Sequence, residues 1–206
     1  MELTIVDHPL AADRLTTLRD AETPAAEFRA ALHELSVFLL YEALRSCPVA
    51  TIDIETPLGP TTGDIIAQPP VLIPVLRAGL GMLEAGRTLL PDAPVGFVGA
   101  KRDEDTFQPK VYMQTVPMLD DGPAIVLDPM LATGGSLIHA CELLRERDAG
   151  PIIVVCVLAA PEGLDALAAA IDNVHVVTAS VDEYLTDNAY IYPGLGDAGD
   201  RQFGID

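Results

Sequence analysis

Positive charge is scarce in this chain. Its 206 residues carry 12 lysines and arginines against 31 aspartates and glutamates, a net charge of −19, and Lys101 and Lys110 are its only lysines. Such a surface repels nucleic-acid backbones and anionic membranes, so neither is an expected partner. Cysteine is scarce too. Cys47, Cys141 and Cys156 are odd in number, far apart and without a CxxC pair. That argues against a disulfide framework or a cysteine zinc site, leaves three small hydrophobes, and suits a reducing cytoplasm. Apolar runs such as Ile152 to Ala160 have strand length, well short of the roughly 18 residues of a spanning helix. Met1-Glu2-Leu3-Thr4 has no basic start followed by an apolar run, so no signal peptide is expected. There is no internal repeat and no GxxxxGK[ST] nucleotide loop. Gly79-Leu80-Gly81 is no dinucleotide fingerprint either, because Glu84 stands where its third glycine belongs.

What is abundant is apolar material, 50% of the chain, enough to bury a core and to exclude disorder. The negative charge reads as a solvated acidic face or as adaptation to a salty cytoplasm, where screening relieves self-repulsion. The length suits one domain over 1–206. It divides into N-terminal helices and a hairpin (1–70), a core (71–180) and a C-terminal hood (181–206). Asp7-His8-Pro9 predicts a helix start with an Asx-type cap. Pro24 to about Arg45 predicts a second helix, with Phe28, Leu32, Leu35 and Leu39 as its buried stripe. Val49–Glu55 and Thr61–Gln68, split by Leu58-Gly59-Pro60, predict a hairpin. Strands are expected at Val71–Leu76, Val95–Ala100, Ala124–Leu127, Ile152–Leu158 and Val174–Thr178, with a return strand at Val111–Val116. Helices are expected at Gly79–Leu90, Gly135 to about Arg147, and Glu162–Ile171. Lys101 to Lys110 reads as a long loop or the tip of a flexible arm, and the tail from Asp187 as Gly-rich and mostly irregular. Apolar strands alternating with helices mean an α/β fold, a mostly parallel sheet flanked by helices. Ligands of such sheets sit at the carboxyl ends of the strands. Three loops meet that description: Arg77-Ala78-Gly79, the arm after Ala100, and Asp128 to Ser136.

The last of these carries the most chemistry. Ala124 to Leu127 ends in Asp128, then Pro129, Met130, Leu131 and Ala132, then Thr133-Gly134-Gly135-Ser136 and an amphipathic helix. Two glycines let backbone wrap an anion, the helix N-terminus offers unpaired N–H groups, and Thr133 and Ser136 add hydroxyls. A phosphate monoester needs that density of donors. Asp128 suits sugar hydroxyls, a metal ion or developing positive charge, so the loop reads as a cradle for a phosphorylated sugar.

This nonapeptide resembles the signature of type I phosphoribosyltransferases, and the single acid followed by Pro129 is similar to the uracil phosphoribosyltransferase family in particular. Further matches are Pro74 to Met82, Ala159-Ala160-Pro161-Glu162-Gly163, Tyr190 to Asp200 and His8-Pro9-Leu10. The resemblance implies a type I phosphoribosyltransferase fold with a flexible arm and a small hood for the base. It implies pyrimidine salvage: phosphoribosyl pyrophosphate (PRPP) and uracil give UMP and diphosphate. Arg77 would hold pyrophosphate bidentately, in a loop that in relatives can contain a cis non-proline peptide. Arg102, on the arm, would reach PRPP as the arm closes and excludes water. Asp128 would face the ribose near an oxocarbenium-like transition state, and Asp197 would contact a hydroxyl or a metal-bound water. Mg²⁺ would arrive with PRPP and need no dedicated protein cage. Ile191, Gly196 and Ala198 would read uracil through backbone groups, and an N–H facing O4 would reject cytosine. Family likeness also implies a homodimer or higher assembly and GTP as an allosteric activator; the first two helices and the hairpin from Val49 to Gln68 are the expected source of subunit contacts. No strong general base stands out. His8, His33, His139 and His175 fit no catalytic slot, and His139, the one near the loop, has a structural role as its expectation. Two rivals remain at this point: an RNA-binding regulator of the same fold, which the negative charge opposes, and a transferase for a purine, which would need a different hood.

Overall fold

The apolar runs of this chain carry two faces each, and the fold uses both. In the computed structural model, which describes residues 1–102 and 109–205 (side chains of 100–102 and 109–111 excepted), the strands run as β1 (Glu2–Ile5), β4 (Val71–Leu76), β5 (Phe97–Arg102), β6 (Pro109–Thr115), β7 (Ala124–Leu127), β8 (Met130–Leu131), β9 (Ile152–Ala159) and β10 (Val174–Val181). They form one sheet in the order β1-β10-β9-β7-β4-β5-β6, with β8 beside β9. Every pairing is parallel except β5 with β6. A separate hairpin joins β2 (Val49–Thr56) to β3 (Gly59–Ile66), and a smaller one joins β11 (Tyr184–Leu185) to β12 (Ile191–Tyr192).

Side chains alternate along a strand, so β9 sends Ile153, Val155 and Val157 to one core and Ile152, Val154 and Cys156 to another. The first core is roofed by α1 (Pro9–Arg19), α2 (Ala25–Ala43) and α3 (Leu80–Leu89). The second is covered by α4 (Gly135–Glu146) and α5 (Pro161–Ala170). The α2 stripe Phe28, Leu32, Leu35 and Leu39 is buried as its spacing predicts, each side chain contributing about 1.5–3 kcal/mol. A short 3₁₀ turn, Leu44–Ser46, ends that helix before Cys47-Pro48.

Three local features differ from expectation. The cap of α1 is His8 rather than an Asx residue: its Nδ1 accepts the Leu10 N–H at 3.1 Å. The N-terminal residues form β1, a four-residue edge strand whose side chains, Leu3 and Ile5 included, are mostly exposed. The tail is more regular than its glycines suggest. Besides β12 it contains α6 (Ala198–Phe203), closed by Gly204 in the left-handed region. That six-residue helix is held by tertiary bonds from Arg201 and Gln202 rather than by propensity.

Candidate active site

β4 and β7 are neighbours in register, Pro74 opposite Leu127, so the turns leaving their carboxyl ends lie side by side. After Leu76 the chain enters Arg77-Ala78-Gly79 through a cis Leu76–Arg77 peptide and then starts α3. Gly79 is dictated by close approach: a Cβ there would overlap the Leu127 carbonyl and lie 2.7 and 2.8 Å from Val75 N and O. Arg77 is half exposed and pairs with Asp200 of α6 at 3.3 Å. An exposed pair of this kind contributes little, so an incoming anion can replace the carboxylate.

Asp128 opens the neighbouring turn, and its Oδ1 accepts the Met130 N–H at 3.3 Å. Pro129 and Leu131 turn inward. The Pro129 carbonyl accepts Val157 and Leu158 N–H at 2.9 and 3.0 Å, and Leu131 is fully buried. Gly134 sits at φ 83°, and the first intrahelical bond of α4 runs from Ile138 N–H to the Gly134 carbonyl at 2.8 Å. The N–H groups of Gly135, Ser136 and Leu137 therefore have no acceptor within the helix. No acidic residue occupies that first turn, so the positive end of the helix dipole is left for a ligand. The α5 backbone braces the loop: a Cβ on Gly163 would overlap the Ala132 carbonyl and lie 2.8 Å from that of Leu131.

The third wall is the C-terminal segment. A cis Tyr192–Pro193 peptide leads into Gly194 and Gly196, at φ 62° and 79°. Asp197 caps α6, its Oδ1 accepting the Asp200 N–H at 2.9 Å. Buried Gln202 donates to the Ala78 carbonyl at 2.9 Å and that of Ala198 at 3.1 Å, tying this wall to the Arg77 turn. Behind it, Asp182 is gripped by both Arg19 Nη atoms, at 2.6 and 2.7 Å. Burial alone would raise the Asp182 pKa, but Arg19, the Gly194 N–H and the Ser180 hydroxyl together hold it below the ordinary carboxylate value.

Together these walls enclose a cleft of about 750 Å³. Of the residues singled out in the sequence, Arg77, Asp128, Met130, Ala132, Thr133, Gly134, Gly135, Ser136, Ile191, Gly196, Asp197 and Ala198 all line it. Arg77 is the one basic residue lining it among the described residues. Pro129 and Leu131 shape the loop from the core side. Arg102 ends β5 in the backbone, but its side chain lies outside what is described, as do residues 103–108 of the expected arm. Tyr112 of β6 also lines the cleft. It could not be singled out in the sequence because no glycine, cap or charge marks it. His139 bonds Gln114 through Nε2 at 3.0 Å and His175 bonds Thr4 at 2.9 Å, both structural contacts. Burial pushes the Cys141 and Cys156 thiols up to about 12, far from nucleophiles. Among the described residues no cluster of three His, Cys, Asp or Glu could hold a metal ion, and no helix is long and apolar enough to cross a membrane. The carboxylates in the cleft are hard oxygen donors, which fit a cation shared with a ligand's own phosphates better than a cage of their own.

Residues 5–205 match the family model described as uracil phosphoribosyltransferase. Curated proteins named uracil phosphoribosyltransferase from Corynebacterium glutamicum and Corynebacterium diphtheriae are each 49% identical over 205 residues, covering 99% of this chain and 97% of theirs. A solved structure of a protein from Aquifex aeolicus superposes with TM-score 0.95 at 36% identity over 99% of both chains. The adenine phosphoribosyltransferase of Thermoanaerobacter pseudethanolicus, at 11% identity, TM-score 0.54 and coverage of 76% of this chain and 84% of its own, shares the fold alone.

Proposed function

The chain belongs to the uracil phosphoribosyltransferase family and transfers the 5-phosphoribosyl group of PRPP to uracil, giving UMP and diphosphate; we propose that it does so in this cleft, with the residues that line it in definite roles. The observation that carries the assignment is convergence. A helix N-terminus with a positive-φ glycine, an exchangeable arginine and a polar main-chain wall meet in one cavity.

The 5′-phosphate lies in Thr133-Gly134-Gly135-Ser136, held by the amides ahead of Ile138 and the two hydroxyls. Met130 and Ala132 line the ribose side, with Pro129 and Leu131 fixing the loop from behind. Arg77 releases Asp200 and takes the pyrophosphate. Asp128, between the two turns, accepts ribose hydroxyls and faces C1′ as positive charge develops there. The bond from C1′ to the pyrophosphate oxygen breaks, the bond from C1′ to uracil N1 forms, and the N1 proton is released to water. Mg²⁺ arriving with PRPP would need no dedicated cage from the protein and, when bound, would supply positive charge to offset that of the departing diphosphate. Asp197 faces a hydroxyl or a water of that ion with the oxygen its helix cap leaves over. Uracil meets the backbone of Ile191, Gly196 and Ala198, whose positions are set by the turn at Gly194. Arg102 closes over PRPP from the arm and keeps water out.

Two broader readings belong to the same proposal. Val49, Ile52, Ile54, Leu58 and Ile65 are exposed on the β2–β3 hairpin, which supports subunit contacts there in a homodimer or larger assembly. GTP is proposed as an activator, to be checked by turnover with and without it. The deciding assay for the base is turnover of PRPP with uracil, cytosine, hypoxanthine and xanthine in parallel. Uracil alone should be consumed, and strong use of a purine would overturn the assignment of the hood.

A further inference from the structure

Gly194 is held in an unusual way. Its N–H donates to Asp182 Oδ2 at 2.9 Å, and its carbonyl accepts from Arg19 Nη1 at 2.8 Å. Asp182 and Arg19 are themselves joined fork to fork, and the Asp182 side chain is only 2% exposed. The Ser180 hydroxyl donates to the remaining oxygen at 3.1 Å. Both main-chain groups of one glycine thus end on the two halves of a single ion pair. The two halves come from opposite ends of the chain, Arg19 from the last turn of α1 and Asp182 from just beyond β10.

The link is reciprocated. Arg201 of α6 reaches back to the carbonyls of Leu18 and Asp20, which flank Arg19, and donates to that of Leu195 at 2.8 Å. Its guanidinium also lies 4.5 Å above the Phe28 ring. An ion pair kept only for stability has a weak rationale, because well-packed apolar residues serve as well. Apolar residues could not supply an acceptor and a donor to the same peptide, however. Left without them, buried Gly194 would carry two unpaired groups.

We propose that Arg19 and Asp182 are positioning residues for the base: their ion pair fixes Gly194, and through it the distance at which Ile191, Gly196 and Ala198 present their backbone to uracil. The role rests on the reading that this segment binds the base. Neither residue lines the cleft, so both act at one remove from the ligand.

The test uses the full chain with Arg19→Lys, which keeps the charge but loses the bidentate fork and the reach to Gly194, and Asp182→Asn, which keeps the shape. Uracil and PRPP are each varied in steady-state kinetics. Amide exchange in 190–199 is followed with and without UMP. In both variants KM for uracil should rise roughly tenfold or more while KM for PRPP stays within about twofold. UMP should protect the 190–199 amides of the unaltered protein and protect them less in the variants. A general structural role would lower kcat with the folded fraction and leave both KM values alone; that result, or an equal rise in both, overturns the proposal. If Asp182→Asn does not fold, Arg19→Lys decides by the same criteria. Absence of UMP protection in the unaltered protein would remove the base-binding reading and the clamp together. Full protection retained in the variants would remove only the clamp.

Discussion

Replacing Gly163 by alanine sets two physical effects against each other. Gly163 lies within α5, where alanine is favoured over glycine by about 1 kcal/mol. On propensity alone the variant should be more stable, and its Tm should rise by roughly 2–4 °C for a chain of this size. The structure says otherwise. The added Cβ would overlap the Ala132 carbonyl oxygen, lie 2.8 Å from the Leu131 oxygen and 3.1 Å from the Ala132 carbon. All three are backbone atoms, with no side-chain rotamer to relieve them. Restoring ordinary contact takes a displacement on the order of 1 Å of either α5 or the loop. Overpacking of this kind costs about 1–3 kcal/mol, which offsets the propensity gain and leaves a net loss of up to about 2 kcal/mol. The larger effect is chemical. If the loop yields, Thr133 to Ser136 move with it, and misplacement by about 1 Å can cost on the order of 100-fold in rate. Gly163→Ala should therefore melt at or a few degrees below the parent and lose one to two orders of magnitude in kcat/KM for PRPP. Calorimetry and steady-state kinetics read both quantities. A Tm that rises by the propensity amount, with PRPP kinetics unchanged, would refute the claim that α5 braces the phosphate loop.

Other perturbations separate the remaining parts of the argument. Arg102→Ala should abolish most turnover while leaving the fold intact by circular dichroism; near-normal activity would exclude the arm from the mechanism. A thiol reagent at about pH 8 should leave Cys141 and Cys156 untouched until denaturant is added, because burial pushes both to about 12, while half-buried Cys47 reacts slowly; rapid labelling of all three in the native protein would contradict that burial. Asp182 has a lowered native pKa, so its stabilisation is present above its unfolded value of about 3.9 and is lost as pH falls through the lowered one. Asp182→Asn should accordingly flatten the acid limb of the stability curve, and an unaltered limb would argue against the Arg19 pairing. With a net charge of −19, Tm should climb between dilute buffer and about 1 M KCl as screening relieves self-repulsion; full stability in dilute buffer would count against a salt-adapted surface.

Legibility in the sequence followed the range of the forces involved. The central strands β4 and β7 could be bounded to the residue because buried parallel strands are continuous apolar runs closed by turn residues. The turn from Asp128 to Ser136 could be delimited because its features are local: acid, glycines, hydroxyls and helix start within nine residues. β1 escaped because a strand of four residues is too short for its single alternation, Leu3 and Ile5 against Glu2 and Thr4, to stand out. α6 escaped because its stability comes from Arg201 and Gln202 bonding residues far away in the chain, against a local composition that reads as a loop. The Arg19–Asp182 pair spans 163 positions, and nothing near either residue announces the other. Asp197 was expected to face a ligand hydroxyl or a metal-bound water. That it caps a helix could not be foreseen without the helix.

The adjacency of β4 and β7 sets a gauge. The Arg77 turn and the Asp128 turn leave paired strands at Leu76 and Leu127, and Gly79 is pressed against the Leu127 carbonyl. The strands they leave lie one rung apart, roughly 4.8 Å from strand to strand, with the two exits offset by two residues along the sheet because Leu127 stands opposite Pro74, and that spacing is maintained by main chain on both sides. Side-chain replacement can loosen either grip, but it cannot stretch the rung without dismantling the centre of the sheet. The wall built from 190–199 is under no such restriction. It is joined to the rest by hydrogen bonds involving Arg19, Asp182, Arg201 and Gln202, by the β11–β12 pairing and by the buried side chains of Ile191, Leu195 and Ala198. Substitution can thus reshape one side of the cleft while the spacing of the other stays fixed.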